Sequence, residues 1–237
     1  MIAPMNRIIA AALPLAFAAA PAAAAERSYS VTDFDRVQVD GPYQVSLTTG
    51  LSSSARATGS VGALDRVSVE VQGRTLRIRV NRSGWGGYPG DRAGPVVIQV
   101  TTRNVVAAGV TGSGGLAIDK TSGIRLDLSV SGSGRLGVAS LNADSLGVSL
   151  LGSGRIAVGG QAKQMRATIQ GSGDLDARSL TAQDATIFAD TAGTITLGAA
   201  RTAKVTATGP GDVEILGDPS CTLLGVAAES VKCGTPR

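Results

Sequence analysis

Gly112-Ser113-Gly114, Gly132-Ser133-Gly134, Gly152-Ser153-Gly154 and Gly171-Ser172-Gly173 recur through the middle of a 237-residue chain. Thr191-Ala192-Gly193 and Gly209-Pro210-Gly211 continue the series, and the steps between copies are 20, 20, 19, 20 and 18 residues. Self-similarity at this period marks a repeat architecture. Each copy is flanked by alternating apolar residues: Leu126, Leu128 and Val130 before Gly132, then Leu136 and Val138 after it. One period on come Leu146, Val148, Leu150, Ile156 and Val158, then Met165, Ala167, Ile169, Leu175 and Ala177. Ala185, Ile187, Ala189, Ile195 and Leu197 follow, and the last copy reads Ala203, Val205, Ala207, Val213 and Ile215.

Alternation with period two belongs to strands with one buried face. One coil of such strands cannot bury its apolar face alone, so neighbouring coils must cover it. The expected fold is all-β, a single-domain parallel β-helix with coils of about 20 residues. With coils about 4.8 Å apart, five or six make a section roughly 25–30 Å long. The glycines suit corners that need positive φ or close backbone approach. The serine between them can bond a neighbouring backbone group. Gly132 to Gly137 also fits the dinucleotide pattern G-x-G-x-x-G, and Gly152 to Ala157 its alanine variant. That fingerprint needs a helix whose N-terminus holds the pyrophosphate, and here strand-type alternation follows instead.

Residues 1–25 read as a signal peptide. Arg7 supplies a positive start, Ile8 to Ala20 an apolar run, and Ala23-Ala24-Ala25 a small-residue cleavage site. The mature chain then begins near Glu26, with about 212 residues and a net charge of about +3. The expected location is periplasmic, extracellular or at the cell surface, and no second apolar run is long enough to span a membrane. Residues 26–237 form the solenoid domain, with less regular coils over 31–105, regular Gly-Ser-Gly coils over 106–216 and a stapled end over 217–237. The irregular part alternates at Phe34, Val37 and Val39, at Tyr43, Val45 and Leu47, and at Val67, Val69 and Val71. After a turn at Gln72-Gly73 it continues through Leu76, Ile78 and Val80, then Val96, Ile98 and Val100. Cys221 and Cys233 are the only cysteines, and an even count in an exported chain favours a disulfide between them. The closed loop is worth roughly 3 kcal/mol on the loop-entropy account.

The loop between Val80 and Val96 carries the chemical variety, with Arg82, Trp85, Tyr88 and Arg92 among glycines and prolines. Aromatics flanked by charge can grip sugar rings or partner side chains. The other reading is a flexible connecting insertion whose Trp85 folds back over a solenoid edge or end.

The ordered set of segments resembles a known family. Phe34-Asp35-Arg36-Val37 and Gly41-Pro42-Tyr43-Gln44-Val45-Ser46-Leu47 open it, and Gly73-Arg74-Thr75-Leu76-Arg77-Ile78 continues it. The Gly-Ser-Gly corners follow, then Gly217-Asp218-Pro219-Ser220-Cys221 and Cys233-Gly234. Together these resemble the bacterial exported proteins grouped as the putative auto-transporter adhesin head GIN domain family, over essentially the whole mature chain. The resemblance implies a right-handed parallel β-helix and a role named for adhesion. It supplies no catalytic residues, and the chain departs from it at Thr191-Ala192-Gly193 and Gly209-Pro210-Gly211.

Catalysis finds little support in the residues. The chain has no histidine, which removes the usual general base. After each corner tripeptide come Gly115, Arg135, Arg155, Asp174, Thr194 and Asp212, which is no acidic cluster. Asp174 and Asp176 both point outward in a turn-and-strand context. Calcium repeats need an Asp in every copy at a nine-residue period, and the chain lacks this, so no metal or cofactor is expected. Nucleic acid is not expected either, because the arginines are scattered among aspartates rather than gathered in a basic stripe. What remains is a non-catalytic binding or adhesion module whose partner is a glycan or an envelope protein. The alternatives are a polysaccharide-active β-helix enzyme and an envelope structural or signalling accessory. For binding, the outward columns Ser129, Ser149, Thr168, Thr206 and Ser131, Gln170, Asp190, Thr208 offer polar ladders. Solubility alone also explains them. Leu151 and Phe188 interrupt the ladders as a contact patch or as isolated apolar residues.

Overall fold

In the computed structural model, residues 25–81 and 95–235 are described. The chain is all-β, a β-solenoid of about six turns. The N-terminal strands are β1 (Ala25–Tyr29), β2 (Arg36–Asp40), β3 (Gln44–Thr49), β4 (Ser54–Gly59), β5 (Val67–Gln72), β6 (Thr75–Val80), β7 (Val97–Thr102) and β8 (Ala107–Gly112). The long coil strands are β9 (Gly115–Gly132), β10 (Arg135–Gly152), β11 (Arg155–Gly171), β12 (Asp174–Thr191) and β13 (Ile195–Ala207). The end is made by β14 (Val213–Leu216), β15 (Ser220–Leu224) and β16 (Val231–Thr235).

Each coil pairs in parallel with the next, and equivalent residues stack. Leu136 of β10 lies between Leu116 and Ile156, and Leu150 between Val130 and Ile169. All of the alternating apolar residues expected inward, from Leu126 to Ile215, are buried. The core is therefore a set of aliphatic columns running along the rod, each coil covered by its neighbours as stacked repeats require.

The Gly-Ser-Gly tripeptides form the corner between a first face (145–151 in one coil) and a second (155–158). Gly152 has φ +112°, and a Cβ on it would stand 2.6 Å from the carbonyl oxygen of Gly132 one coil earlier. The last glycine of the tripeptide, Gly154, has the second constraint alone, with Gly134 O at 2.6 Å. Through the corner the backbone ladder continues, with Ser153 N–H donating to Gly132 O and Arg155 N–H to Gly134 O, both at 3.0 Å. Thr191 takes the place of the first glycine without positive φ. Its hydroxyl instead accepts from Gly193 N–H at 2.9 Å and donates to the Gly173 carbonyl at 3.3 Å, which holds the turn.

Each coil also has a third, short inward run that two-strand alternation does not reveal. Leu141 and Ala143, Ala162, Leu180 and Ala182, and Ala199 are buried there. The variation in repeat length falls around this run. Leu141 pairs with Gly160, a register shift after Val138, and the Ala177/Thr181 and Ala182/Asp184 shifts flank the same run. The corners without a fixed tripeptide absorb the insertions and deletions.

The N-terminal part departs from the expected coils. β2 and β3 continue the stack in parallel onto β8 and β9, with β6 and β7 beyond them. Then direction reverses: β5 runs antiparallel to β6, and β4 is antiparallel to both β7 and β1. Gly73, at φ +62°, turns the β5–β6 hairpin, with Gln72 opposite Thr75. Two apolar runs separated by a two-residue glycine turn are a hairpin signal, and that signal was present in the sequence. The reversal leaves Val80 exposed at the strand end. A single helical turn α1 (Val61–Leu64) with Ser60 as N-cap packs Ala63 and Leu64 into this end. Two buried threonine hydroxyls here are satisfied: Thr102 Oγ1 donates to Phe34 O at 2.6 Å and Thr121 Oγ1 to Val105 O at 2.7 Å.

Cys221 and Cys233 are bonded, with Cα atoms 6.6 Å apart. Cys221 stacks over Ala203 and Cys233 over Ile215, so both occupy inward columns, on the first and second faces respectively. The disulfide therefore bridges the two faces across the end of the core.

Candidate functional site

The four loop residues singled out from sequence, Arg82, Trp85, Tyr88 and Arg92, lie outside the described residues. The described residues place a different feature on the first face. A groove of about 700 Å³ crosses the strands there. Its origin is the size of side chains in two outward columns. One runs Arg36, Ala107, Asp127, Gly147, Arg166, Thr186, and the next runs Gln38, Gly109, Ser129, Ser149, Thr168, Phe188. Small residues on β8, β9 and β10 lie between larger ones on β2 and β11, so the sheet surface sinks between Arg36 and Arg166. Four strand spacings separate those two arginines, about 19 Å.

The charges of the groove are unevenly paired. Arg125 holds Asp127 through two hydrogen bonds of 2.8 and 3.0 Å. Asp184 is held by the Arg201 guanidinium and by Thr202 Oγ1 at 2.7 Å, which lowers its pKa to about 2. Gln38 Nε2 donates to Asp40 Oδ1 and Thr111 Oγ1, both at 3.0 Å. Arg36 and Arg166, both exposed, have no carboxylate within ion-pair distance among the described residues. Among the described residues, the groove therefore offers two cations without a carboxylate partner over a floor of hydroxyl and amide groups, while its carboxylates are already engaged.

The serine and threonine ladder is real as a register: Ser129, Ser149 and Thr168 are Cα partners in turn, then Phe188, then Thr206. Leu151 and Phe188 are 54% and 44% exposed. They do not form one patch, because the β11 rung carrying Thr168 and Gln170 lies between them. The carboxylates weighed as a catalytic pair are both in surface ion pairs, Asp174 with Arg155 and Asp176 with Arg178, each at 2.7 Å. Among the described residues no group of three His, Cys, Asp or Glu side chains is placed to hold a metal. No described helix is long and apolar enough to cross a membrane. The groove was missed from sequence because a glycine in an outward column reads as a gap in the polar ladder, and its depth emerges only once the register sets Gly109 and Gly147 in adjacent columns.

Solved structures share the fold. A putative adhesin from Bacteroides fragilis NCTC 9343 superposes with a TM-score of 0.76 at 20% identity, over 90% of this chain and 95% of that one. A protein described as a putative lipid binding protein from Parabacteroides distasonis ATCC 8503 gives 0.65 at 21% identity, over 86% and 95%. A putative adhesin from Parabacteroides merdae ATCC 43184 gives 0.64 at 16% identity, over 91% and 96%. No curated protein sequence matches the chain. The family described as "Putative auto-transporter adhesin, head GIN domain" matches residues 33–219, from the first inward strand to the proline before Cys221, and the chain belongs to that family.

Proposed function

We propose that the protein is an exported, non-catalytic binding module of the cell envelope or surface, and that the groove on its first face holds an acidic glycan. The observation that carries this reading is the pair of arginines, Arg36 and Arg166, that line a polar floor and have no ion-pair partner among the described residues. Free guanidinium groups bind carboxylates with geometric specificity. Hydroxyl and amide groups repeating every 4.8 Å or so suit a chain with many hydroxyls. Export rests on the apolar leader and on the disulfide, which belongs to an oxidising compartment. Catalysis is not part of the reading, because Asp127 and Asp184 are held by arginines and the chain has no histidine.

The test is a glycan array probed with the exported protein, pairing uronate-containing glycans with neutral counterparts. Arg36→Ala and Arg166→Ala should each weaken acidic-glycan binding, and raised salt should weaken it further. Binding to neutral glycans alone, or to anionic lipid vesicles and no glycan, would replace this reading. Array silence with recovery of an envelope protein by pull-down would favour the accessory role.

A further inference from the structure

Phe188 stands exposed on β12, with Thr168 of β11 on one side and Thr206 of β13 on the other. A lone exposed ring is ordinary; the charges set around this one are not. The adjacent outward column runs Arg166, Thr186, Lys204 on the same three strands. Arg166 and Lys204 are therefore two strand spacings apart, about 10 Å, with a threonine between them. Neither has a carboxylate within ion-pair distance among the described residues. Both are exposed, and both side chains are long enough to lean over Thr186, where one carboxylate meets two cations. On the other side of the ring, the next outward residue of β12 is Asp190, exposed and acidic. The field across Phe188 is thus polarised, positive toward Thr186 and negative toward Asp190.

We propose that Phe188, Arg166 and Lys204 form an anchoring subsite for one hexuronate unit, a pyranose ring bearing a carboxylate. The proposal rests on the acidic-glycan reading of the groove and assigns one end of that chain. The apolar face of the sugar ring stacks on Phe188. The polarised field then sets its orientation, with the carboxylate over Thr186 between the two cations and away from Asp190. Hydroxyls at the ring edge reach Thr168 and Thr206, which donate and accept. From this anchor the chain passes over β11 and into the groove toward Arg36, since Thr168 and Thr186 already line the groove. A neutral sugar has the same stacking face but no group for the cations, so the subsite selects for charge.

Fluorine NMR of the exported protein labelled with fluorophenylalanine tests this, using an oligomannuronate and its carboxyl-reduced neutral counterpart as probes. The Phe188 resonance, assigned by its absence from Phe188→Leu, should shift with the uronate. That of Phe34, 3% exposed in the core, should not. Phe188→Ala should weaken uronate binding about three- to tenfold, and Phe188→Trp should retain it. Lys204→Ala should weaken it and flatten its salt dependence, whereas Asp190→Asn should strengthen it. These three positions face solvent, so the substitutions leave the fold intact. Uronate binding that moves neither the Phe188 resonance nor the affinity of Phe188→Ala would overturn the subsite and leave the groove reading standing. Equal affinity for the neutral counterpart, or no binding of the uronate at all, would overturn both.

Discussion

A Cβ placed on Gly160 would stand 2.5 Å from the backbone nitrogen of Leu141, its partner in the preceding coil, and Gly160 has φ +116°. Here the coil is one residue shorter than its neighbour, and the backbone turns inside the space a side chain would need. Gly160→Ala should therefore cost about 1–3 kcal/mol, from the unfavourable φ and the forced backbone shift. Gly137 makes the control, because nothing lies within 4 Å of a Cβ built there. Gly137→Ala should change stability by no more than about 0.5 kcal/mol. Urea unfolding of both variants measures the difference, and equal losses would mean the close approach does not govern stability.

The register makes a second contrast. Leu150 is 1% exposed and lies between Val130 and Ile169, whereas the adjacent Ser149 faces solvent between Ser129 and Thr168. Leu150→Ala should cost roughly 2–5 kcal/mol through lost burial and a residual cavity. Ser149→Ala should stay within about 0.5 kcal/mol. Chemical denaturation reads both, and similar midpoint shifts would contradict the inward and outward assignment.

The sequence and the structure agree where a column repeats and diverge where it does not. From Leu126 to Ile215 the inward residues were legible because each recurs one coil later at the same distance from a glycine corner. The third run was not, since Thr121, Leu141, Gly160 and Leu180 share one column and no apolar pattern survives that mixture. Strand direction was hidden as well. Val67, Val69 and Val71 alternate whether β5 runs parallel or antiparallel to β6, so periodicity identified the strands without their pairing. For the candidate site, the polar ladder was readable residue by residue. The groove was not, because it arises from Gly109 and Gly147 being brought into adjacent columns by strands far apart in sequence.

The disulfide predicts a local effect. Since it joins the terminal strands of two faces, reduction or Cys221→Ser should loosen β15 and β16 before the regular coils. The global loss should reach at most about 2–4 kcal/mol. Hydrogen exchange should show lost protection in β13 to β16 and unchanged protection in β10 and β11. Uniform loss through the rod would mean the end coil and the middle unfold as one unit. Mass spectrometry without reductant should recover the cross-linked Cys221–Cys233 peptides, and two alkylated thiols would exclude the bond.

Asp184 gives the chain a defined acid response. The Arg201 guanidinium, and then the Thr202 hydroxyl, lower its pKa to about 2. An unfolded aspartate titrates near about 3.9. Because the folded value is the lower one, the unfolded state binds the proton more readily, and stability falls as pH drops through this interval. The contribution is fully present above about pH 5 and is lost as pH approaches about 2. Asp174 acts in the same direction, its carboxylate held by Arg155 and by the Thr194 N–H. Asp184→Asn should flatten the fall in urea midpoint between about pH 4 and pH 2, while Asp144→Asn, which removes the exposed partner of Lys163, serves as the comparison. NMR titration of the Asp184 carboxyl should place its midpoint well below the ordinary aspartate range. A midpoint near the unfolded value, or parallel pH curves for wild type and Asp184→Asn, would show that the Arg201 contact does not hold the carboxylate in solution.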